Sequence, residues 1–216
     1  MESNSKKSLV IVYSIIATIL LIVAILGFSV AAFTWQFTGQ NNSISTGNVS
    51  MNLLESTDAI TINNALPMSD SEGKSLSHNS GDSGVFDFAI TTYASGAPGN
   101  ITYSISISKT IVDAEYTPLA DNQIKLYLVA FDGDGETQVM APTLVSNIIT
   151  SGTSGTLTFD RDKTNYLTHN HSTVNSSITQ KYRLKMWIAD TVDASSWTTS
   201  TKYQYKLRIN TSGQLN

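Results

Sequence analysis

Cysteine is absent from this 216-residue chain, so disulfide bonds, thiolate zinc sites and cysteine nucleophiles are excluded. Charged residues are scarce, since Asp, Glu, Lys and Arg together make up 14% of the chain. The formal net charge is -4, whereas a nucleic-acid surface needs a basic face that neutralises phosphates. We therefore expect no nucleic-acid partner. Because disulfide bonds are excluded, we also expect the core to be held together by packing alone.

Sustained helical periodicity is also absent after residue 40, and a period of two takes its place. Five stretches alternate apolar with polar residues, a pattern typical of antiparallel strands with one buried face and one solvent-facing side. Their predicted core residues are Phe86, Phe88 and Ile90; Ile101, Tyr103, Ile105 and Ile107; Ile124, Leu126 and Leu128; Tyr182, Leu184, Met186 and Ile188; and Tyr203, Tyr205, Leu207 and Ile209.

Weaker strand patterns lie at about 47–54, 58–63, 143–149 and 155–160, while the polar stretch 68–84 is predicted to be a long mobile loop. About eight or nine strands in one domain predict an all-β fold. We expect a single two-sheet antiparallel sandwich, of jelly-roll or immunoglobulin-like topology, over residues 45–216.

The N-terminal part predicts a membrane or signal segment. Residues 1–8 carry two lysines, and the apolar run 9–32 has about 24 residues, roughly 36 Å as a helix, which is enough to span a bilayer. The lysines place the N-terminus in the cytoplasm and the remainder outside. Small residues at Ala31 and Ala32 also suit a signal peptidase. Retention and cleavage both remain open.

Residues 33–44 follow this run directly, as a juxtamembrane segment or a donor strand. Phe33, Trp35 and Phe37 alternate with polar residues in the strand period of two. An interfacial aromatic belt has no need of that period. These three aromatics are therefore the candidate assembly residues.

Two motifs are candidate metal sites. His169 and His171 lie two apart in HNH, which on a strand puts both rings on one face, although a solvated loop is the default interpretation. Asp132, Asp134 and Glu136 in DGDGE resemble the start of a calcium loop, but they do not fit the EF-hand spacing, so a tight turn explains them better. We predict no cofactor, with calcium kept as a weak alternative.

Nucleophile-elbow and phosphate-loop motifs are lacking, so no catalytic residue is assigned and we expect a protein that is not an enzyme.

Charge is uneven along the chain. Residues 33–136 have a net charge of -9 and residues 137–216 one of +4. If the two parts formed different ends of the molecule, subunits would attract head to tail. Scattered surface charge is the alternative, because strands of a sandwich interleave.

The order of several stretches resembles the TasA and camelysin family of surface and biofilm-matrix proteins. After the apolar segment, which ends in VAAF, come STGNVSMNLLES at 45–56, ITINNALPMSDSEGKS at 60–75 and the strand VFDFAIT. The resemblance covers about residues 22–92. Matching positions are Thr46, Gly47 and Val49 in the first stretch, with Asn64, Pro67, Asp70 and Gly73 in the second.

This resemblance implies an exported jelly-roll-like subunit of an extracellular fibre or biofilm matrix. Its N-terminal strand would complete the sheet of the next subunit, so self-association into a polymer is expected. Relatives of the camelysin type are classed as metalloproteases, but no recognisable metal-ligand set is present here. The alternatives are a permanently anchored binding protein, including a minor membrane protein of a virion, and a camelysin-like secreted metalloprotease.

Overall fold

The computed structural model describes residues 18, 34–38, 42–46, 49–55, 59–77, 84–95, 98–132, 135–195, 197 and 201–215. These residues are mostly β-strand, arranged in two sheets that pack face to face around one main core. The expected all-β, two-sheet architecture is confirmed. The long pairings are antiparallel, and two parallel pairings of two residues each supplement them.

The strands are β1 (Thr34–Thr38), β2 (Asn42–Thr46), β3 (Val49–Glu55), β4 (Ile60–Asn63), β5 (Pro67–Met68), β6 (Val85–Ala94), β7 (Gly99–Lys109), β8 (Thr117–Pro118), β9 (Ile124–Asp132), β10 (Gly135–Leu144), β11 (Ser154–Thr156), β12 (Thr168–His171), β13 (Ser176–Ala189) and β14 (Tyr203–Leu215). The described helices are short: α1 (Asp70–Ser75), α2 (Val145–Ile148) and two 3₁₀ helices, Asp121–Gln123 and Arg161–Leu167.

Sheet A is built around two long strands, β7 and β14, which pair over nine residues. Each has two short strands end to end along its outer edge. On β14 these are β4 and β1, and on β7 they are β11 and β12. The sheet therefore has a long central ribbon whose two edges are each completed by short pieces of chain.

Sheet B has the order β10-β9-β13-β6-β3-β2. Its central strand β13 pairs with β6 on one side and β9 on the other, and β5 extends the β6 side in parallel. The inner face of β13 carries four of the predicted core residues, and all four are buried. Of the predicted core residues in the five alternating stretches, every one is buried except Tyr203, which is partly buried.

Part of the long loop predicted over residues 68–84 is a short helix, α1, at the end of the stretch 60–75 that carries the family resemblance. Ser69 caps α1, with its hydroxyl accepting from the Glu72 amide and the Glu72 carboxylate accepting from the Ser69 amide. The Ser69 amide and, to a smaller extent, the Ser69 hydroxyl donate to the Glu72 carboxylate, and these two hydrogen bonds lower the pKa of Glu72. Gly73 lies against Trp187, whose ring a Cβ at this position would strike. A capped helix on the outer face of sheet B therefore corrects the loop prediction at 70–75.

The prediction of a strand at 143–149 is also wrong. β10 ends at Leu144 and α2 follows directly. Val145 and Ile149 are both buried and lie four residues apart, so one helical turn points both into the core. An apolar pattern this short does not separate a strand from one turn of helix.

Within the described residues, no helix has the length and apolar character to cross a membrane. The predicted span 9–32 lies outside them except for Thr18, which is helical. The retained-anchor and cleaved-signal alternatives both stay predictions.

Candidate assembly edge and a buried histidine cluster

The candidate assembly segment lies at the edge of sheet A. β1 pairs antiparallel with β14 in five consecutive register positions, from Thr34 opposite Gln214 to Thr38 opposite Asn210. Trp35 and Phe37 are therefore in a strand, whereas Phe33 and the predicted cleavage residues Ala31 and Ala32 lie outside the described part of the chain.

The register places Trp35 opposite Gly213 and Phe37 opposite Thr211. Both partners are buried and continue the core-facing series of β14 beyond Leu207 and Ile209. This end of β14 thus gives the core a glycine and a threonine where the preceding positions give it large apolar side chains. The Thr211 hydroxyl is buried without a hydrogen-bond partner among the described residues.

Two other edges, those of β10 and β7, are protected by their own geometry. β10, at the edge of sheet B, has register shifts around Met140 and contains Pro142, which lacks an amide hydrogen. The outer edge of β7 is covered by β11 and β12. Neither edge offers a neighbour a long regular ladder of free amides and carbonyls.

The HNH motif occupies β12 rather than a solvated loop, so that default interpretation is wrong. His169 and His171 are 5% and 1% exposed, and both face inwards, as the strand spacing predicts. Their rings meet at Thr92 on β6, in the opposite sheet. The Thr92 hydroxyl is 2.7 Å from His169 Nδ1 and 2.8 Å from His171 Nε2.

The direction of each hydrogen bond follows from the far end of this chain of groups. The Ser176 hydroxyl donates to the Thr173 carbonyl, so it accepts from Nδ1 of His171 at 2.9 Å. His171 Nε2 then accepts from the Thr92 hydroxyl, whose oxygen accepts from Nδ1 of His169. His171 is consequently neutral, with its proton on Nδ1. His169 carries a proton on Nδ1, and its burial favours the neutral ring.

Two tyrosines continue the cluster. Tyr103 is 3.2 Å from His169 Nε2 and 2.8 Å from the hydroxyl of Tyr182, and its ring meets the His169 ring edge-on. Both tyrosine hydroxyls also lie within hydrogen-bond distance of the Tyr166 carbonyl, which comes from the second 3₁₀ helix. The cluster thus connects β12, both sheets and that helix through polar groups in the interior.

Burial shifts the pKa values of these groups. It lowers the pKa of His169 to about 4, with a smaller contribution from the nearby His171. Burial also lowers the pKa of His171, against the opposing effect of its contact with Ser176. The pKa of the Tyr103 phenol is raised because ionisation would bury a charge. All of these shifts favour the neutral forms.

Sequence patterns alone did not identify Thr92 as part of this cluster. Its signal was present, since it continues the core-facing series Phe86, Phe88 and Ile90 by one more period of two. Most hydroxyls at inward positions have a buried hydrogen-bond partner. Which partner it has depends on the sheet packed opposite.

Within the described residues, no group of three His, Asp or Glu side chains is arranged to hold an ion. Within the DGDGE motif, β9 ends at Asp132 and β10 begins at Gly135, and these two residues lie opposite each other in the antiparallel pair. The Glu136 carboxylate is engaged by Arg183 at 2.8 Å and Lys185 at 2.9 Å. The antiparallel pairing of β9 with β10 is consistent with the turn interpretation, while residues 133 and 134 lie outside the described part of the chain.

The uneven charge is partly neutralised inside one molecule. Cations of the C-terminal part pair with anions of the N-terminal part in Arg183–Asp87, Arg183–Glu136, Lys185–Glu136, Lys202–Glu115 and Lys206–Asp113. The two parts interleave in the sandwich, which favours the scattered-charge alternative over oppositely charged ends.

No protein family matches this chain, and neither does any curated protein. Among solved structures, one similar to it is a mutant VP2 protein of infectious bursal disease virus in derived T=1 particles. The TM-score is 0.28 at 10% identity, over 83% of this chain and 31% of that one. This chain spans about a third of the VP2 chain's length. A likeness of this strength carries no argument about function.

Proposed function

We propose that this chain is a non-enzymatic structural protein, a TasA-like subunit of an extracellular fibre or matrix. Subunits assemble when β1 leaves its own β14 and takes the same place on β14 of a neighbouring copy. The observation that carries this proposal is the pairing of β1 with the edge of β14. Such an exchange replaces an intramolecular strand by an identical intermolecular one.

The edge position of β1 makes this exchange inexpensive. Five register pairs hold it to β14, and backbone hydrogen bonds between strands are the same in cis and in trans. β14 itself remains fixed, because β7 pairs along nine residues of its other side. A neighbour's β1 therefore meets an acceptor edge that does not have to form first.

Side-chain size supports the choice of donor and acceptor. β1 brings Trp35 and Phe37 to the register positions of Gly213 and Thr211. Pairing a large residue type with a small one favours one register of an added strand, because a slip by one residue would break every such pair.

The strand order supports the jelly-roll alternative for the fold. One sheet contains β4-β14-β7 with β11 and β12 beyond, and the other contains β6-β13-β9-β10. The chain crosses repeatedly from one sheet to the other, for example from β6 to β7 and from β13 to β14, as it does in jelly rolls. Such a sandwich suits a subunit that is exported and then packed into a polymer.

A permanently anchored sandwich that binds a partner is the second candidate. It is favoured by the length of the apolar run 9–32, which suits a retained span. In the leading proposal, cleavage near Ala31 and Ala32 frees β1 for exchange. The mass of the native protein separates the two, because retention of residues 1–32 leaves β1 tethered to the membrane.

The absence of cysteine allows a direct test of the exchange. Gln36 lies opposite Ser212 in the β1–β14 register, at the short separation that a disulfide accepts. We expect a Gln36→Cys population mixed with a Ser212→Cys population of different mass to form covalent heterodimers on oxidation. The double variant in one chain closes the bond internally and stops filament growth.

A matched pair on the same strand is the control. Thr61 on β4 lies opposite Lys206 on β14, and β4 is not proposed to exchange. Mixed Thr61→Cys and Lys206→Cys populations should therefore give no heterodimer. If the β1 pair behaves like this control in mixtures, while the double variant still closes internally, the donor-strand proposal is wrong.

A further inference from the structure

β12 is attached to the sandwich in an unusual way for an edge strand. It pairs with β7 at four positions, from Thr168 opposite Thr102 to His171 opposite Gly99. Its outward residues are exposed, and both of its inward residues are histidines. The side-chain attachment of β12 therefore depends on imidazoles bonded to Thr92 across the core, rather than on apolar packing.

This attachment favours neutral rings. The ring nitrogens face Thr92 from β6, Tyr103 from β7 and Ser176 from β13. A proton added to Nε2 of His171 would confront the hydroxyl hydrogen that Thr92 now donates there. Among the described residues, the hydrogen-bond and ion-pair partners of the two rings include no carboxylate that could balance a charge.

The remaining titratable groups of the cluster do not supply that balance. They are the phenols of Tyr103 and Tyr182, which lie at hydrogen-bond distance from the Tyr166 carbonyl. A neutral phenol can accept from a protonated ring but brings no negative charge. A protonated histidine here would thus be a buried and unpaired cation, which is strongly unfavourable.

We propose that the His169–Thr92–His171 cluster is an acid-operated latch, in which protonation of the histidines releases β12 from the edge of β7 while the two sheets stay packed. Release carries both rings into water, where they accept protons freely. It leaves the edge of β7 at residues 99–102 unpaired.

The pH range follows from the direction of the shifts. Buried His169 has a pKa of about 4, and a released histidine returns to about 6.5. The open form binds the extra proton, so opening is least favoured above pH 6.5 and becomes easier as the pH falls towards 4. For His169 alone, the opening equilibrium rises about 20-fold between pH 7 and pH 5.

Neighbouring anchors confine the opening. Before the second 3₁₀ helix, Leu157 and Phe159 are buried in the apolar core. After β12, β13 pairs with β6 from Ser176 onwards. The released segment is therefore bounded at about residues 160–175, and the core strands on either side keep their own packing.

Hydrogen–deuterium exchange on the full chain tests the latch, with β4 as an internal reference. β4 is also a four-residue strand at an edge of sheet A, but its inward residues are Ile60 and Ile62. After correction for intrinsic exchange rates, we expect protection in β12 to fall about 20-fold or more between pH 7 and pH 5. Protection in β4 should change less than threefold, on the order of the noise of such corrections.

The variant test removes the titration but keeps the hydrogen bonds. In His169→Asn/His171→Gln, an amide nitrogen replaces the donor Nδ1 and an amide oxygen replaces the acceptor Nε2. We expect the pH response of β12 to disappear. The proposal is overturned if β12 and β4 lose protection together in the unmodified protein, or if the double variant keeps the response. Should the variant not fold, an NMR titration of the unmodified histidines decides, because a latch requires that they titrate together with the loss of β12 protection.

Discussion

β4 and β12 are both four-residue strands, and they lie at opposite edges of sheet A. Both alternate buried and exposed residues, but β4 buries Ile60 and Ile62 whereas β12 buries His169 and His171. Geometry and length are thus matched while the chemistry of attachment differs. The difference shows that one sheet can hold an edge strand by apolar packing and another edge strand by a buried polar cluster.

The two kinds of attachment should differ in how their contribution to stability depends on pH. Apolar burial contributes to stability without regard to pH, because no proton is taken up or released. A buried neutral histidine contributes fully only above its unfolded pKa, about 6.5. The two edges of one sheet should therefore respond differently to acid, and three substitutions sharpen that comparison.

The largest effect is expected for Ile62→Ala in β4. Removing a fully buried isoleucine side chain costs about 2–5 kcal/mol of the free energy of unfolding, through lost burial and the cavity left behind. Urea unfolding at pH 7.5 and pH 5 measures it, and the loss should be the same at both. A loss that depends strongly on pH would mean that β4 is not the apolar reference assumed here.

An intermediate effect is expected for Thr92→Val, which keeps the shape but removes the hydroxyl between the two rings. His169 Nδ1 and His171 Nε2 then lose their partner inside the core, at a cost of about 1–3 kcal/mol. Urea unfolding at pH 7.5 measures the change. Thr92→Ser, which retains a hydroxyl, is the control, and equal losses in both variants would show that packing rather than hydrogen bonding matters at this position.

The smallest effect is expected for Ser176→Ala at the outer end of the cluster. Nδ1 of His171 loses its acceptor, but Ser176 is only half-buried, so water can take its place. We therefore expect a loss of at most about 1.5 kcal/mol in the free energy of unfolding. Urea unfolding gives the loss, and ¹⁵N NMR shows whether His171 keeps its proton on Nδ1. A loss larger than that of Thr92→Val would contradict the order of donors and acceptors assigned here.

Much of the fold could be predicted from the sequence because half-buried strands reveal themselves by alternation. Phe86, Phe88 and Ile90, or Tyr182, Leu184 and Met186, need only their own order to show which side is buried. β12 could not be found in this way, since THNH contains no apolar residue. Its inward side is polar, and that is acceptable only because Thr92 and Tyr103 come from other strands to meet it.

For the candidate assembly segment, too, the sequence predicted the local structure but not the long-range contacts. The strand character of the segment that includes Trp35 was visible in its period of two, and the structure places residues 34–38 in a strand. Its position on β14, opposite Gly213 and Thr211, was not visible, because register depends on a strand about 175 residues away in sequence. The proposal that this strand is exchanged between copies rests on that position.

By itself, the sequence determined that the chain is all-β, that its core lacks disulfides and which residues of the long strands face inwards. These follow from composition and local alternation, which act over neighbouring residues. The tertiary structure alone decided that two histidines share one threonine, that opposite charges meet within one molecule and that β1 lies on the edge of β14. Each of these joins residues far apart in the chain, and only the packing of two sheets brings such groups within bonding distance.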